Sequence, residues 1–248
     1  MKTVCSVALM GTLVFLLAFS VPVQAANTDN AIEKSAKQSY VFKTYLKADD
    51  IKVKSKDGVV TLTGTVSEES HKSLAEETVA GLPAVKSVEN KLEVKGDRPA
   101  EKTDAWLLTK VKTTLLFHRN VSAKTEVDVK DGIVTLRGPS DSQAEKDLTT
   151  EYVRDIEGVK DVRNEMTVTK GAKETLGEKI DDSSITAQVK MSLLYHRSTS
   201  GLKTKVETKD GVVMLHGKAK NSAEKDLATK LAKDVNGVKS VENLMTIE

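Results

Sequence analysis

Lys56-Asp57-Gly58-Val59-Val60-Thr61-Leu62-Thr63-Gly64 recurs as Lys130-Asp131-Gly132-Ile133-Val134-Thr135-Leu136-Arg137-Gly138 and again as Lys209-Asp210-Gly211-Val212-Val213-Met214-Leu215-His216-Gly217. Three copies predict three similar units. Each is preceded by a short alternating run such as Ile51-Lys52-Val53-Lys54, so Asp-Gly falls between two period-2 segments and predicts a β-hairpin with a type I′ turn. That turn needs φ > 0 at both central residues, which Asp tolerates and Gly adopts freely. The strand after the turn sends Val60 and Leu62, Val134 and Leu136, and Val213 and Leu215 to one face, the core face, while Thr61, Thr63, Thr135, Arg137 and His216 point away. The terminal Gly64, Gly138 and Gly217 are expected to let the chain bend out of the sheet or a helix come close. The glycine spacing does not match a phosphate-binding loop.

Residues 1–25 carry one charge, Lys2, then an apolar run through Leu13-Val14-Phe15-Leu16-Leu17, then Pro22 and Val23-Gln24-Ala25. This pattern predicts a signal peptide cut after Ala25 and a periplasmic protein; an uncleaved anchor is the alternative, since the run approaches the ~20 residues that span a bilayer. Cys5 is poorly placed for lipidation. Removing the segment leaves 223 residues with a formal charge of +1 and no cysteine, which excludes disulfides, thiol catalysis and thiolate metal sites. With 38 Lys+Arg against 36 Asp+Glu and only 4% aromatic residues, the chain has neither the charge nor the stacking residues that nucleic acid demands.

The units are placed at 28–97, 104–170 and 181–248, joined by polar linkers at 98–103 and 171–180. In the first, Asn30-Ala31-Ile32-Glu33 has the form of a capping box opening a helix through Ile32, Ala36, Tyr40 and Val41. After the hairpin, Ser67-Glu68-Glu69 opens a second helix that stops at Gly81-Leu82-Pro83, and Val85, Val88, Leu92 and Val94 frame a third strand. The order is helix, strand, strand, helix, strand, so the fold class is α+β with three tandem αββαβ units, each a three-stranded sheet packed on two helices. The second unit keeps this register at an offset of 74 and the third at a further 79, except that Leu115-Leu116-Phe117-His118-Arg119 matches Leu193-Leu194-Tyr195-His196-Arg197 at 78. One inserted residue therefore lies between first helix and hairpin. A unit this small buries only roughly 60% of its unfolded surface, so the repeats are expected to pack on one another, each keeping a small core of its own.

Each unit resembles a BON domain, the module named for bacterial osmotically inducible and nodulation proteins. The matching residues are the Asp-Gly hairpin with Val-x-Leu-x-Gly, the alanine-containing second helix, and the closing motif Gly158-Val159-Lys160-Asp161-Val162-Arg163-Asn164, repeated as Gly237-Val238-Lys239-Ser240-Val241-Glu242-Asn243. The first unit departs from it with Ala84 in place of those glycines. A signal peptide followed by tandem copies is similar to the family's hyperosmotically inducible periplasmic members, which have two copies rather than three. The resemblance implies a cell-envelope location, binding to phospholipid or envelope proteins, no cofactor and no catalysis.

The residues agree with the absence of catalysis: there is no His-Glu-x-x-His and no Gly-x-Ser-x-Gly. His118 and His196 end the first helices of the second and third units, where they or the adjacent Arg119 and Arg197 would meet the helix dipole; neither has a second metal ligand at helical spacing. His71 and His216 are expected to be solvated. The pairs Glu68-Glu69, Glu76-Glu77 and Asp181-Asp182 fit helix first turns or exposed faces better than a calcium loop.

Two surfaces stand out. At 100° per residue, Leu107, Leu108, Val111 and Leu115 form the core stripe of one helix, and Trp106, Lys110, Thr113 and Phe117 form a separate line. Aromatics flanking a lysine suit anionic phospholipid headgroups; packing against a neighbouring repeat is the other reading. Ser184, Gln188, Met191 and Tyr195 form a weaker version in the third unit. Around the last hairpin, Lys203, Lys205, Lys209, Lys218 and Lys220 form a basic patch or a guarded sheet edge. The functional expectation is peripheral association with phospholipid during osmotic or envelope stress, with chaperone-like binding of unfolded or exported clients as the alternative.

Overall fold

The computed structural model describes residues 22–96, 103–121, 124–169, 179–199 and 203–248. The expected signal peptide up to residue 21, and most of both expected linkers, lie outside the described residues.

The first repeat runs α1 (Pro22–Gln38), a short α2 (Tyr40–Thr44), β1 (Asp50–Lys56), β2 (Val59–Val66), α3 (Glu69–Ala80) and β3 (Ser87–Val94). The second has α4 (Asp104–Phe117), β4 (Glu126–Lys130), β5 (Ile133–Arg137), β6 (Pro139–Ser140), α5 (Gln143–Arg154), β7 (Asp161–Asn164) and β8 (Thr167–Val168). The third repeats that order as α6 (Asp182–Tyr195), β9 (Lys205–Lys209), β10 (Val212–His216), β11 (Lys218–Ala219), α7 (Ser222–Lys233), β12 (Ser240–Asn243) and β13 (Thr246–Ile247). In each, the hairpin pairs antiparallel and the strand after the second helix returns parallel to the hairpin's second strand, giving the orders β1-β2-β3, β4-β5-β7 and β9-β10-β12.

The turns take the predicted form, with φ of 54° and 81° at Asp57-Gly58, 55° and 81° at Asp131-Gly132, and 51° and 81° at Asp210-Gly211. Each is held by a carboxylate from the repeat's first helix. Asp29 accepts from the amides of Asp57 (2.7 Å) and Gly58 (3.0 Å), Asp104 from those of Asp131 (2.6 Å) and Gly132 (2.8 Å), and Asp182 from those of Asp210 (2.7 Å) and Gly211 (2.8 Å). The lysine of the closing motif locks the other side: Lys86, Lys160 and Lys239 donate to the carbonyls of Asp57, Asp131 and Asp210. The closing asparagine ties strand to helix, since Asn90, Asn164 and Asn243 donate to the carbonyls of Lys72, Lys146 and Lys225.

Two local expectations need correction. The Asn30 capping box opens no helix, because α1 runs straight through it from Pro22; the side chains that cap the equivalent helices are Thr103, accepting from the Trp106 amide, and Asp181, accepting from the Ser184 amide. Of the glycines that end the hairpins, Gly138 and Gly217 sit at bends that break the strand, as expected, and Gly64 lies inside β2, but none makes room for a helix. At Gly64, Gly138 and Gly217 (φ 117°, 112° and 140°) a Cβ would fall 1.9, 2.5 and 2.4 Å from the backbone carbonyl oxygens of Asp50, Lys124 and Lys203, which precede or begin the first strand of the hairpin.

The repeats pack together as expected, but not around three separate cores. One buried cluster runs through the second and third repeats, joining Leu107, Val111, Leu136 and Val153 to Ile185, Val189, Leu215 and Leu231. The other is the core of the first repeat, into which α4 sends Phe117 and α6 sends Ala187 and Met191. Helix α6 is the hub, with ten of its fourteen residues buried. Ile185, Val189 and Leu193 serve the shared core, while Ala187 and Met191 serve the first repeat. Its remaining buried positions are Ser183, Ser184, Thr186, Gln188 and Ser192. Small side chains allow close approach: a Cβ on Gly81 at the end of α3 would lie 3.4 Å from the Ser183 Cα.

Candidate functional site

The line Trp106, Lys110, Thr113, Phe117 does not form an outer surface. Phe117 is 1% exposed and lies edge-on to Tyr45 of the first repeat, ring centroids 5.7 Å apart. The Thr113 hydroxyl donates to Ser70 Oγ on α3 at 3.3 Å. Lys110 is buried, with Nζ 4.6 Å from the Trp106 ring centroid, 5.7 Å from that of Tyr195 and 3.2 Å from Glu157 Oε2. Trp106 is half-buried against the shared core. The membrane reading of this line is therefore corrected to the packing one: α4 has neighbours on both faces, and the lysine finds its aromatic and anionic partners inside the protein. The weaker line in the third repeat follows suit, with Ser184, Gln188 and Met191 buried and Tyr195 half-buried.

The basic patch does lie on the surface. Lys203, Lys205, Lys209, Lys218 and Lys220 are exposed. In the sheet register His216 pairs with Lys205 and Lys218 with Thr246, so these residues share the outer side of the third sheet. Lys205 bonds Glu207 at 2.6 Å, His216 Nε2 lies 3.8 Å from the other Glu207 oxygen, and Lys218 approaches Glu248 at 4.0 Å. The bond and charge of Lys205 hold the Glu207 carboxyl below its ordinary range. What sequence reasoning missed is that a large apolar side chain joins this outer side: Leu244, which follows Asn243 in register and so falls next to His216, is 55% exposed. Ile247, 53% exposed, pairs with the buried Ala219 and lies on the opposite face from Lys218. The offset of 79 offered the signal, for Leu244 occupies the place of Glu165, which in the second repeat pairs with Arg137 at 2.9 Å.

A third cluster, also missed, lies at the joint between the second and third repeats. His118 and His196 end α4 and α6 as expected, but each crosses to the other repeat. His118 Nδ1 is 2.9 Å from Asp234 Oδ2 at the end of α7, and His196 Nδ1 is 3.3 Å from Asp155 Oδ2 at the end of α5. The two Nε2 atoms are 3.3 Å apart, and both rings are 1% exposed. Tyr152 stacks on His118 with centroids 3.9 Å apart and donates to Asp234 at 2.5 Å. The backbone repeats this reciprocity: the Arg119 amide donates to the Asp234 carbonyl at 2.9 Å and the Arg197 amide to the Asp155 carbonyl at 2.7 Å. Burial pushes the His118 pKa down, against the opposing pull of Asp234, and pushes the Tyr152 hydroxyl up. For Asp155, burial raises the pKa but His196 and the bond from Ser198 outweigh it, leaving the carboxyl below its ordinary range.

The other histidines also have partners. His71 Nδ1 lies 2.6 Å from Asp49 Oδ2 and is not simply solvated. Among the described residues no group of three or more His, Cys, Asp and Glu could hold a metal ion, and no helix is long and apolar enough to cross a membrane.

Comparison with known proteins gives one family match, the BON domain, over residues 28–96, 103–170 and 181–248. The chain is 34% identical over 142 residues to osmotically-inducible protein Y of Escherichia coli (strain K12), spanning 56% of this chain and 70% of that protein. It is 37% identical over 139 residues to an uncharacterized protein in the gshII 5' region of Anaplasma centrale, spanning 56% of this chain and 90% of that one. To the 21 kDa hemolysin of Actinobacillus pleuropneumoniae it is 31% identical over 119 residues, spanning 48% of this chain and 60% of that one.

Proposed function

The chain belongs to the BON domain family, as three tandem copies, and from that premise we propose that it is a non-catalytic periplasmic protein of the osmotic-stress response that binds reversibly to anionic phospholipid surfaces. The osmotic part follows the relative named for osmotic induction. The observation that supports the lipid part is the exposed Leu244 on the side of the third sheet that carries Lys205 and Lys218, with Lys203 and Lys220 exposed at the strand ends. An apolar side chain that reaches the acyl boundary, beside lysines at headgroup level, gives a surface both its components of membrane affinity. Each lysine near an anionic leaflet contributes about 1 kcal/mol. The pairs to Glu207 and Glu248 are exposed and hold Lys205 and Lys218 only weakly, so both can turn to phosphate.

Co-sedimentation with phosphatidylglycerol vesicles tests this. Binding is expected at low salt and is lost at about 1 M salt, where charges are screened within about 3 Å. Leu244→Asp should weaken binding strongly while the circular dichroism stays unchanged. Binding that survives this substitution unweakened removes the proposed patch; no binding to any anionic vesicle removes the lipid reading. If the chain instead suppresses aggregation of a denatured protein without lipid, client binding takes its place.

A further inference from the structure

The two histidines buried between the second and third repeats have a proton count fixed by their geometry. His118 Nδ1 donates to Asp234 Oδ2 at 2.9 Å, so in the neutral ring His118 Nε2 is an acceptor. The proton in the 3.3 Å contact between the rings then belongs to His196 Nε2, which leaves His196 Nδ1 bare. That nitrogen makes no hydrogen bond, although Asp155 Oδ2 stands 3.3 Å away. A first added proton has a place there, facing the Asp155 carboxylate. A second has none. It would land on His118 Nε2 and set two N–H groups head to head in a space closed to water.

We propose that this pair is an acid-operated latch: the second and third repeats stay docked while His118 Nε2 is unprotonated and part when the second proton arrives. The surrounding charges do not relieve that proton. Both carboxylates lie on the Nδ1 sides of the rings. Asp234 already accepts from Tyr152 on α5 and from Asn120, and Asp155 already accepts from Ser198. Arg119, next to His118, donates to the carbonyls of Val235 and Val238, and Arg197, next to His196, to that of Arg154. These guanidiniums add positive charge to the joint. Parting it would bare Ile156 and Val235, both fully buried and bridged to His196 and His118.

The sign follows from burial, which holds His118 below its ordinary range. The docked state then binds fewer protons than the parted state. Docking is at full strength above about pH 6.5 and weakens as pH falls, by up to about tenfold per pH unit for one proton.

The test uses the full mature chain, taken from about pH 8 to 5. Nuclear magnetic resonance follows each imidazole, and hydrogen exchange follows the amides of Arg119 and Arg197, which donate across the joint. The expected result is that His118 titrates below about 6.5 and that protection of these two amides, corrected for intrinsic rate, falls about tenfold per unit in the same range. The Lys86 amide, bonded within the first repeat, should keep its protection. His118→Gln should flatten the acid dependence; if that variant does not fold, the wild-type titration decides alone. Titration of His118 at or above about 6.5 with protection unchanged overturns the latch. So does a profile that shifts on adding zinc or a chelator, since that would make the pair a metal site.

Discussion

The joint between the second and third repeats and the seam that attaches the first repeat are built from different chemistry, although all three units share one fold. Where the later repeats place His118 and His196, the first has no histidine at the end of α2, and where they place Asp155 and Asp234 at the ends of their second helices, it places Gly81. Its seam is apolar at the centre, with Phe117, Ala187 and Met191 inside its core. Around that centre lie one-way bonds: the Tyr40 amide to Asp181 at 2.7 Å, the Val41 amide to Ser184 Oγ at 3.1 Å, and Lys190 to Glu77 at 2.6 Å. The first sheet is also more continuous, with eight-residue strands where the second and third repeats break into five plus two and four plus two. Copies of one module can thus be joined through buried histidines or through an apolar centre ringed by carboxylates, and mild acid, above the carboxylate range, should act on only the first of these joints.

The largest expected effect breaks the apolar seam. Phe117→Ala removes a ring that is 1% exposed, and should cost about 3–5 kcal/mol in urea unfolding, as large-to-small changes in a packed core do. The loss should be equal at neutral and mildly acidic pH, because the ring's aromatic neighbour is Tyr45, whose hydroxyl burial holds above its ordinary range; a loss under about 1 kcal/mol would mean that the seam does not form. An intermediate effect tests what the repeats have in common. Asp104→Ala takes the acceptor from the amides of Asp131 and Gly132, and should cost about 1.5–3 kcal/mol, the range for bonds to a charged group. Exchange of those two amides should rise well before that of the matching pair at Asp210 and Gly211. The smallest effect brings the first repeat closer to its copies. Ala84 sits at φ 67° where Gly158 and Gly237 take 96° and 87°. Ala84→Gly relieves about 1–2 kcal/mol of left-handed strain but makes the unfolded chain more flexible by about 0.4–1 kcal/mol. A net gain of roughly 0.5–1 kcal/mol in the urea midpoint analysis is expected; a loss would show that the strain is absorbed elsewhere.

Much of the fold was legible in the sequence because it is set within a few residues. The Asp-Gly turns, the strand faces carrying Val60 and Leu62 or their copies, and the recurring helix and strand order all follow from φ preferences and period-2 alternation. Even the exposed lysines of the last hairpin were read correctly, since outward positions on an edge hairpin follow from strand alternation alone. The line on α4 was not legible in the same way. Trp106, Lys110, Thr113 and Phe117 were placed on one side of the helix correctly, but helical periodicity cannot distinguish a side facing a membrane from one facing another repeat.

What the sequence by itself determined was therefore the unit: its turns, its core-facing strands, its threefold copying and its family. What only the tertiary structure decided was how the units meet. Ser184, Thr186 and Gln188 along α6 are polar, yet their side chains are satisfied by Asp181, Thr208 and the helix's own backbone, so a polar stretch can be buried from every side. Likewise His118 meets Asp234 across 116 residues of chain and His196 across 78. The physical reason is the same in both cases: the free energy of a buried polar group depends on partners supplied by distant segments, and no local periodicity encodes where those segments come to rest.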